Sequence, residues 1–170
     1  EGDNFNMETA HLLPMLLRRF HLAKLLKAGE FEKIKVDLEK NKLGWNLDEK
    51  INLADNNSII AGLKEIGAYQ DKVVVWGDGS PYRELMNSDD LADACVYLMQ
   101  NKNYEQIGEL VNITDGTDIQ LTDLVEIIKN VVGFDGEIVW DKTKPNGTPR
   151  KLMDATRIRS LGWQPKIKLE

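Results

Sequence analysis

Two stretches of the sequence place cations beside residues that form turns. Residues 73–90 contain an aromatic side chain, Trp76, seven positions before Arg83. Residues 144–154 contain Lys151, which follows the rigid run P-N-G-T-P-R. An aromatic ring can carry a base or a ribose, while guanidinium and ammonium groups can bind a pyrophosphate. The two stretches therefore indicate a site for a nucleoside diphosphate.

A histidine at the start of a helix is the strongest single candidate for acid–base chemistry. Regularly spaced leucines predict a helix over residues 9–28, and Pro14 is best tolerated in its first turn, so His11 is expected at or just before the helix start. Arg18 and Arg19 follow two turns later, and one of them is expected on the face of His11. A proton donor beside an anion-binding arginine is one interpretation. A structural histidine beside a solvated arginine pair is the other.

Simpler structural interpretations also exist for the remaining candidates. Trp76 could only end a buried strand, and Arg83 could pair with a nearby carboxylate, the candidates being Glu84, Asp89 and Asp90. The two aspartates favour a helix N-terminus over a metal site, because no third carboxylate lies close to them in sequence.

Composition limits the class of protein. The chain has 170 residues, of which 42% are hydrophobic and 29% charged, as in one soluble domain. A net charge of −6 argues against nonspecific nucleic-acid binding, and no apolar run is long enough to cross a membrane. The single cysteine, Cys95, excludes an internal disulfide, fits a reducing cytoplasm and is expected in the core. No metal site is expected.

The pattern of elements predicts a small α/β fold. The expected elements are helices at 9–28, 30–42, 59–66, 89–101, 121–132 and 154–161, and strands at 72–76, 83–87, 109–113 and 137–140. These strands are too scattered for an independent doubly wound sheet. The turn Gly77–Gly79 lacks a third glycine and precedes Pro81, so it cannot open a phosphate-binding helix.

Three motifs, in this order, resemble the GDP-L-fucose synthases. The first motif has D-N-F at residues 3–5 and H-x-x-P-x-L-L-R-R-F-H at residues 11–21. The second reads V-V-W-G-x-G-x-P-x-R-E at residues 74–84 and is followed by D-D-x-A-x-A at 89–94. The third reads K-P-x-G-T-P-R-K-L-x-D at residues 144–154 and is followed by L-G-W. The chain resembles the part of that family that follows the nucleotide-binding half. The family belongs to the extended short-chain dehydrogenase/reductases, with a Rossmann-like superfamily fold.

The resemblance implies an activity and a set of site residues. Enzymes of this family convert GDP-4-dehydro-6-deoxy-D-mannose to GDP-L-fucose by 3,5-epimerisation and NADP-dependent 4-reduction. His11 matches the catalytic proton donor and could contact the edge of NADP. The residues implied to hold the GDP-sugar are Leu12, Leu16, Arg19, Trp76, Arg83 and Lys151. The main NADP site and the other catalytic residues lie upstream in the family, so we expect no reductase activity from this chain alone.

The expected organisation is one substrate-binding domain over residues 1–170. Residues 28–71 are expected as a family-variable insert, preferably a surface subdomain. The expected partners are the GDP-sugar and the amino-terminal Rossmann half, with a homodimer in the full-length enzyme, and neither nucleic acid nor a membrane. Two alternatives stay open: the substrate domain of another nucleotide-sugar epimerase or dehydratase, which would lack His11 with R-R-F-H, and a non-catalytic nucleotide-sugar-binding module.

Overall fold

The computed structural model of the chain describes residues 2–169, which form two compact units. Unit 1 comprises the described residues up to Asp78 together with Leu124–Pro145, and unit 2 comprises Gly79–Asp123 together with the described residues from Asn146 onward. Their elements, in chain order, are α1 (Leu12–Ala28), α2 (Phe31–Lys40), α3 (Asn56–Glu65), β1 (Lys72–Trp76), β2 (Tyr82–Arg83), α4 (Ser88–Asn101), α5 (Tyr104–Ile107), β3 (Ile119–Gln120), α6 (Leu121–Val132), β4 (Glu137–Asp141), β5 (Arg150–Lys151) and α7 (Thr156–Ser160).

Unit 1 packs helices against a two-stranded parallel sheet. β1 pairs with β4 in a register that runs from Lys72 opposite Glu137 to Trp76 opposite Asp141, so both strands end at the same edge. Phe20 of α1 is fully buried and meets the ring of Phe134 edge to face at 5.8 Å. The unit therefore presents the carboxyl ends of two strands together, which is where parallel sheets commonly place ligand-binding side chains.

The segment expected as an insert contributes to the core of unit 1. Its fully buried side chains include Ile34, Leu43, Ile59 and Leu63. Burying four aliphatic side chains stabilises the unit by roughly 1.5–3 kcal/mol for each. Residues 28–71 thus form part of the hydrophobic interior, and the role of this segment as a family-variable insert stays a prediction.

Arg18 joins three parts of unit 1. Its side chain is 3% exposed and its guanidinium binds the carboxylate of Asp37 at 2.8 Å. It also donates to the carbonyl oxygens of Phe5, Asn41 and Lys42 at 2.8–2.9 Å. Burying a cation costs free energy unless the cation is paired and hydrogen-bonded. Arg18 therefore fastens the amino-terminal segment and the end of α2 to α1.

Unit 2 has its own core and a three-stranded sheet. Strand β2 lies in the centre, antiparallel to β3 and parallel to β5. The buried residues of its core cluster are Ala94, Leu98, Ala155, Ile158 and Trp163. Helix α4 therefore packs one apolar face against α7 and the segment that follows it.

Two aspartates of α4 hold the carboxy-terminal segment of unit 2. Asp90 is 2% exposed and accepts hydrogen bonds from the backbone amides of Lys166 and Ile167 at 3.1 and 2.9 Å. Asp93 accepts from the indole N–H of Trp163 at 2.8 Å and from the ammonium of Lys166 at 3.1 Å. The Asp90–Asp93 face of the helix therefore has a structural role. For Asp90 the sequence also favoured a structural role over metal binding.

The contacts of Asp93 predict an acid-sensitive contribution to stability. The indole of Trp163, and after it Lys166, lower the pKa of Asp93 below its ordinary value of 3.8. Since the folded pKa is depressed, this contribution is present above the ordinary pKa and disappears as the pH falls through the folded value. We expect Asp93→Asn to lower the melting temperature near about pH 6 and to have less effect near about pH 2.5. Thermal melts across that range measure the difference, and an effect independent of pH would contradict the assignment.

Some expected elements differ from the structure. Residues 109–113 are not a strand: Leu110 is 72% exposed, and Val111 and Ile113 instead pack against the core cluster of unit 2. Alternating aliphatic residues form a strand only where a neighbouring strand can pair with them. The strand expected over 83–87 is limited to Tyr82–Arg83, because the following residues lead directly into α4.

The expected burial of Cys95 is also wrong. Cys95 is exposed, because Ala94 and Leu98 occupy the side of α4 that faces the core. The helix also begins one residue earlier than expected, with Asn87 as the N-cap, its side chain accepting from the amide of Asp89 at 2.8 Å. Within residues 2–169 no helix combines the length and hydrophobicity that a membrane span requires.

Candidate functional site

Two cations of unit 2 lie side by side on its sheet. Arg83 of β2 and Lys151 of β5 are register partners in a parallel pair of strands. Neighbouring strands are separated by about 4.8 Å, and register partners point to the same face of a sheet. The two cations expected from separate sequence motifs are therefore adjacent, although they are 68 positions apart in the chain.

Arg83 and Lys151 have no carboxylate partner among residues 2–169. The Nη1 of Arg83 donates to the carbonyl oxygens of Tyr82 and Thr148 at 2.6 and 2.8 Å, which fixes the guanidinium without neutralising it. Fixed, unneutralised cations on one face are suited to a dianionic group. The interpretation that Arg83 pairs with a nearby acidic residue is wrong.

The nearest acidic residue in sequence, Glu84, is used elsewhere in unit 2. Its carboxylate accepts hydrogen bonds from the Thr114 hydroxyl, from the Gly116 amide at 2.9 Å and from the Met153 amide at 3.1 Å. These bonds tie the end of β2 to the segments that hold Thr114 and Met153. Glu84 therefore positions its neighbour Arg83 without cancelling the charge of the guanidinium.

Arg150 differs from Lys151 because it is already neutralised. It is the register partner of Tyr82, on the opposite face of the sheet, and its guanidinium lies 5.6 Å from the Tyr82 ring centre. It binds the carboxylate of Asp118 through two bonds of 2.5 and 3.0 Å, and this contact raises the pKa of Arg150. Arg150 is thus a structural cation, whereas its neighbour is available to a ligand.

A cavity of about 360 Å³ borders Lys151 within unit 2. Its walls are mostly apolar, and the lining residues are Glu84, Met86, Ile113, Thr114, Lys151 and Met153. Because Glu84 and Thr114 bond to each other, the polar groups at the wall are already satisfied. The cavity can therefore accept an uncharged part of a ligand whose charged part binds the two cations.

Trp76 lies at the carboxyl end of β1, in unit 1. It is 56% exposed, and the ammonium of Lys144 lies 5.5 Å from its ring centre. Lys144 follows β4 and its amide donates to Asp141, the register partner of Trp76. An exposed indole that already attracts a cation offers an electron-rich surface for stacking. Trp76 thus ends strand β1 with its ring exposed, and its role in ligand binding stays a prediction.

His11 is the N-cap residue of α1, as the sequence predicted. Its carbonyl accepts the first helical bond from Met15 at 3.1 Å, while its exposed imidazole makes no capping bond. The ring is therefore held at a fixed point of the backbone and is accessible. Leu12 beside it is partly exposed, whereas Leu16 has no exposed surface.

Arg19 is buried in unit 1 rather than presented on its surface. It is 5% exposed and donates to the carbonyl oxygen of Val74 at 2.9 Å, two residues before Trp76. Its Nε has no hydrogen-bond partner, and no carboxylate among residues 2–169 pairs with it. Burial lowers the pKa of Arg19 to about 10. The interpretation of Arg18 and Arg19 as a solvated pair is wrong, since both guanidinium groups are buried.

The expected site residues fall into two groups. Arg83 and Lys151 are brought together in unit 2, and the other five, which are His11, Leu12, Leu16, Arg19 and Trp76, belong to unit 1. Sequence reasoning missed Lys144 as a partner of Trp76, although its position at the head of the K-P-N-G-T-P motif was a usable signal. It also missed the neutralisation of Arg150 by Asp118, since nothing in the sequence connects residues so far apart.

A second cavity, of about 480 Å³, lies in unit 1. Its lining includes Arg18, His21, Asp37 and Lys40. The guanidinium and the carboxylate are bound to each other, and His21 is exposed, as the sequence indicated. Among the residues described, this lining has one lysine or arginine without a carboxylate partner, Lys40, whereas the Arg83–Lys151 pair has two.

The glycine turn at residues 77–79 does not open a helix, as the sequence predicted. Gly77 and Gly79 have φ angles of 85° and 79°, which only glycine adopts readily, and they turn the chain into strand β2 rather than into a helix. A pyrophosphate of NADP would need amides at a helix N-terminus after such a turn.

Comparison with known proteins agrees with the resemblance. The NAD dependent epimerase/dehydratase family matches residues 47–114. GDP-L-fucose synthase 1 of Arabidopsis thaliana is 41% identical over 168 residues, covering 99% of this chain and 38% of the relative. Two solved structures from Campylobacter jejuni are each 36% identical and cover 98% of this chain and 46% of their own. They are a GDP-6-OMe-4-keto-L-xylo-heptose reductase, with a TM-score of 0.82, and a GDP-D-glycero-L-gluco-heptose synthase in the presence of NADPH, with 0.80.

The matches cover almost all of this chain but less than half of each GDP-L-fucose synthase. The chain spans 35–41% of the length of the curated GDP-L-fucose synthases that it matches, as their carboxy-terminal part. The α/β architecture agrees with the epimerase/dehydratase fold. The chain is therefore similar to the GDP-L-fucose synthases over almost its whole length, and to the NAD dependent epimerase/dehydratase family over residues 47–114.

Proposed function

We propose that this chain is the GDP-sugar-binding part of a GDP-L-fucose synthase, an NADP-dependent epimerase and reductase. The observation that carries the proposal is the adjacent pair Arg83 and Lys151, which is fixed on one face of the unit 2 sheet without a carboxylate partner. A diphosphate needs two neighbouring cations, and the guanidinium can bind its oxygens through paired hydrogen bonds. The net charge of −6 does not oppose this, because the site needs only local cations.

Each unit, taken by itself, offers a further candidate contact for a nucleotide sugar. In unit 2 the apolar cavity beside Lys151 is suited to an uncharged group linked to the diphosphate. In unit 1 the exposed face of Trp76 is suited to stacking. The ammonium of Lys144 can move away from the ring when a ligand stacks there, or it can bind an anionic group of that ligand. Binding energy from groups remote from the reacting carbons is what orients those carbons for chemistry.

His11 is proposed as the proton donor of the epimerisation. Epimerisation beside a ketone removes a proton from one face of the sugar and returns a proton to the other, so an acid and a base must flank the ring. An accessible imidazole at a fixed helix N-cap can deliver such a proton. Leu12 supplies a partly exposed apolar contact nearby, while Leu16 acts by supporting α1 from the interior.

Arg19 is proposed to contribute a positive potential rather than a surface contact. Its guanidinium is 5% exposed, keeps one unpartnered N–H and bonds to the β1 backbone next to Trp76. An unpaired buried charge is unfavourable for the fold and is more typical of functional sites than of structural ones. This supports its assignment to the GDP-sugar site.

The proposed enzyme uses NADPH, which supplies the hydride for reduction at C4 of the sugar. No residue from 2 to 169 is assigned to that step, so the chain alone is expected to consume no NADPH in the presence of a GDP-4-keto sugar. A homodimer and a cytoplasmic location also stay predictions of the proposed enzyme.

A second candidate is the substrate part of a GDP-heptose reductase. It is favoured by the 36% identity and TM-scores of 0.80–0.82 with the two Campylobacter jejuni enzymes. Both candidates handle a GDP-sugar, so the diphosphate site is common to them. They differ in the sugar, which carries a seventh carbon in a heptose.

Calorimetric titration with a panel of nucleotides tests the proposed function. We expect saturable binding of GDP and GDP-L-fucose to the parent chain, and none of guanosine, because the two cations bind the phosphates. Tighter binding of a GDP-heptose than of GDP-L-fucose would favour the second candidate. Equal binding of guanosine and GDP would contradict a diphosphate site.

A further inference from the structure

The carboxyl end of the unit 1 sheet carries three kinds of side chain around one exposed ring. Trp76 ends β1, and its register partner Asp141 ends β4. Register partners on neighbouring strands lie about 4.8 Å apart and point to the same face of a sheet. The ammonium of Lys144 lies 5.5 Å from the centre of the Trp76 ring. An aromatic surface, a carboxylate and an ammonium are therefore held together within this unit, and the assignment of Arg83 and Lys151 to the diphosphate uses none of them.

Asp141 is fixed in place with one carboxylate oxygen left unbonded. Its backbone carbonyl accepts from the amides of Gly77 and Lys144 at 2.9 and 3.1 Å, and its Oδ1 accepts from the amide and the hydroxyl of Thr143 at 3.0 and 2.6 Å. None of residues 2–169 donates to Oδ2, and no lysine or arginine among them pairs with this carboxylate. The hydroxyl and then the amide of Thr143 lower the pKa of Asp141, so the group is an ionised acceptor at neutral pH.

Guanine is the base that fits an acceptor beside an aromatic ring. Every nucleobase can stack on an indole, so stacking alone does not select one. On its Watson–Crick edge guanine carries two adjacent donors, N1–H and the 2-amino group, whereas adenine, cytosine and uracil place an acceptor beside each donor. A carboxylate oxygen attracts the first pattern and repels the acceptors of the second. The ammonium of Lys144 is only a donor, which suits it to the O6 of the same base.

We propose that Asp141 determines the base specificity of this chain, its Oδ2 accepting from N1–H and the 2-amino group of a guanine that stacks on Trp76 while Lys144 donates to O6. The inference rests on the proposed function, a GDP-sugar site, and deepens it by naming the residues that recognise the base. It concerns unit 1 alone, whereas Arg83 and Lys151 belong to unit 2. Asp141 is a specificity-determining residue, since it takes no part in the chemistry of the sugar.

Titration calorimetry of the parent chain with GDP, xanthosine diphosphate (XDP) and ADP tests the selection of the base. Xanthine carries an oxygen at the position of the 2-amino group of guanine, and adenine has an acceptor at N1 and no O6. We expect GDP to bind about 10- to 100-fold more tightly than XDP or ADP, because hydrogen bonds to a base edge discriminate by about that factor. The three ligands share one diphosphate, so the difference reports the base.

Asp141→Asn should reverse the order of GDP and XDP. Since Thr143 donates to Oδ1, the new amide keeps its oxygen there and places its NH₂ group at the position of Oδ2. This NH₂ group repels the 2-amino group of guanine and donates to the oxygen of xanthine. We expect GDP binding to weaken by about tenfold or more and XDP binding to strengthen by about tenfold. A gain of XDP binding cannot come from a misfolded variant.

Matched variants separate base recognition from the local turn. Asp154 of unit 2 makes the same two bonds as Asp141, here with the amide and the hydroxyl of Thr156 at 2.8 and 2.6 Å, so Asp154→Asn should leave the ratio of GDP to XDP affinity unchanged. Trp76→Ala should weaken both ligands by the same factor, because stacking does not distinguish the bases. Lys144→Met should weaken GDP binding, whereas Lys142→Met, which removes an exposed lysine two positions away, should not.

Three results would overturn the inference. They are equal binding of GDP, XDP and ADP by the parent chain, an Asp141→Asn variant that keeps the preference for GDP, and the same reversal of preference in Asp154→Asn. In each case binding that still depends on Arg83 and Lys151 would leave the proposed function intact. The absence of binding by all three diphosphates would contradict the proposed function together with this inference.

Discussion

Arg18→Met is expected to lower the free energy of unfolding by about 3–5 kcal/mol. The substitution leaves the carboxylate of Asp37 without its cation, and the side chain of that aspartate is only 18% exposed. It also removes the donor for the carbonyl oxygens of Phe5, Asn41 and Lys42. Buried acceptors left unsatisfied account for a large part of the loss. Urea denaturation followed by circular dichroism measures it.

The neighbouring residue provides the matched comparison. Arg19→Met should leave the free energy of unfolding within about 2 kcal/mol of the parent value, since it removes an unpaired buried charge together with one hydrogen bond to Val74. Burial lowers the pKa of Arg19 to about 10, so its unfavourable contribution is present at every pH below about 10 and disappears as the pH rises above that value towards the ordinary pKa range of arginine. Equal losses from the two substitutions would contradict the distinction between a structural and a functional arginine.

Replacing both cations of unit 2, Arg83→Ala with Lys151→Ala, is expected to weaken GDP binding by about 100- to 1,000-fold. Charge-assisted hydrogen bonds contribute about 1.5–3 kcal/mol each, and each 1.4 kcal/mol is tenfold in affinity. The two side chains bind one group, so the combined loss should differ from the sum of the single losses. Isothermal titration calorimetry of the single and double variants measures both quantities.

Arg150→Ala is the control for this experiment. It removes the same charge at the position next to Lys151, yet its guanidinium is bound to Asp118 on the other face of the sheet. We expect a change in GDP affinity of less than about threefold, because Arg150 lies on the face of the sheet opposite to Arg83 and Lys151. A loss as large as that of Lys151→Ala would show that net charge, rather than the placement of Arg83 and Lys151, controls binding.

Local patterns predicted the elements whose signals are local. Helix α1 with His11 at its N-cap, the termination of α1 by Gly29 in the left-handed conformation, and strand β1 over residues 72–76 follow from leucine spacing, glycine conformation and β-branched residues. The two cation-bearing motifs were also identified before the structure placed them. Their function as a GDP-sugar site stays a proposal.

Long-range pairings were beyond sequence reasoning. The burial of Arg18 depends on Asp37 and on three carbonyl groups of other segments. Asp118 pairs with Arg150 and not with Lys151, which leaves the ammonium of Lys151 available to a ligand. The adjacency of Arg83 and Lys151 itself arises from a parallel pairing of two-residue strands, which are too short for any periodicity to reveal. Cys95 was misplaced because an apolar helix pattern does not say which of two apolar faces is covered.

The most direct test of the central claim is a titration of this chain with GDP followed by amide NMR. The account predicts saturable shifts at Arg83 and Lys151 and along residues 147–151, and none of these with guanosine. Shifts confined to the unit 1 cavity beside Arg18 and His21, or the absence of any saturable shift in unit 2, would contradict the assignment of Arg83 and Lys151 as the diphosphate site.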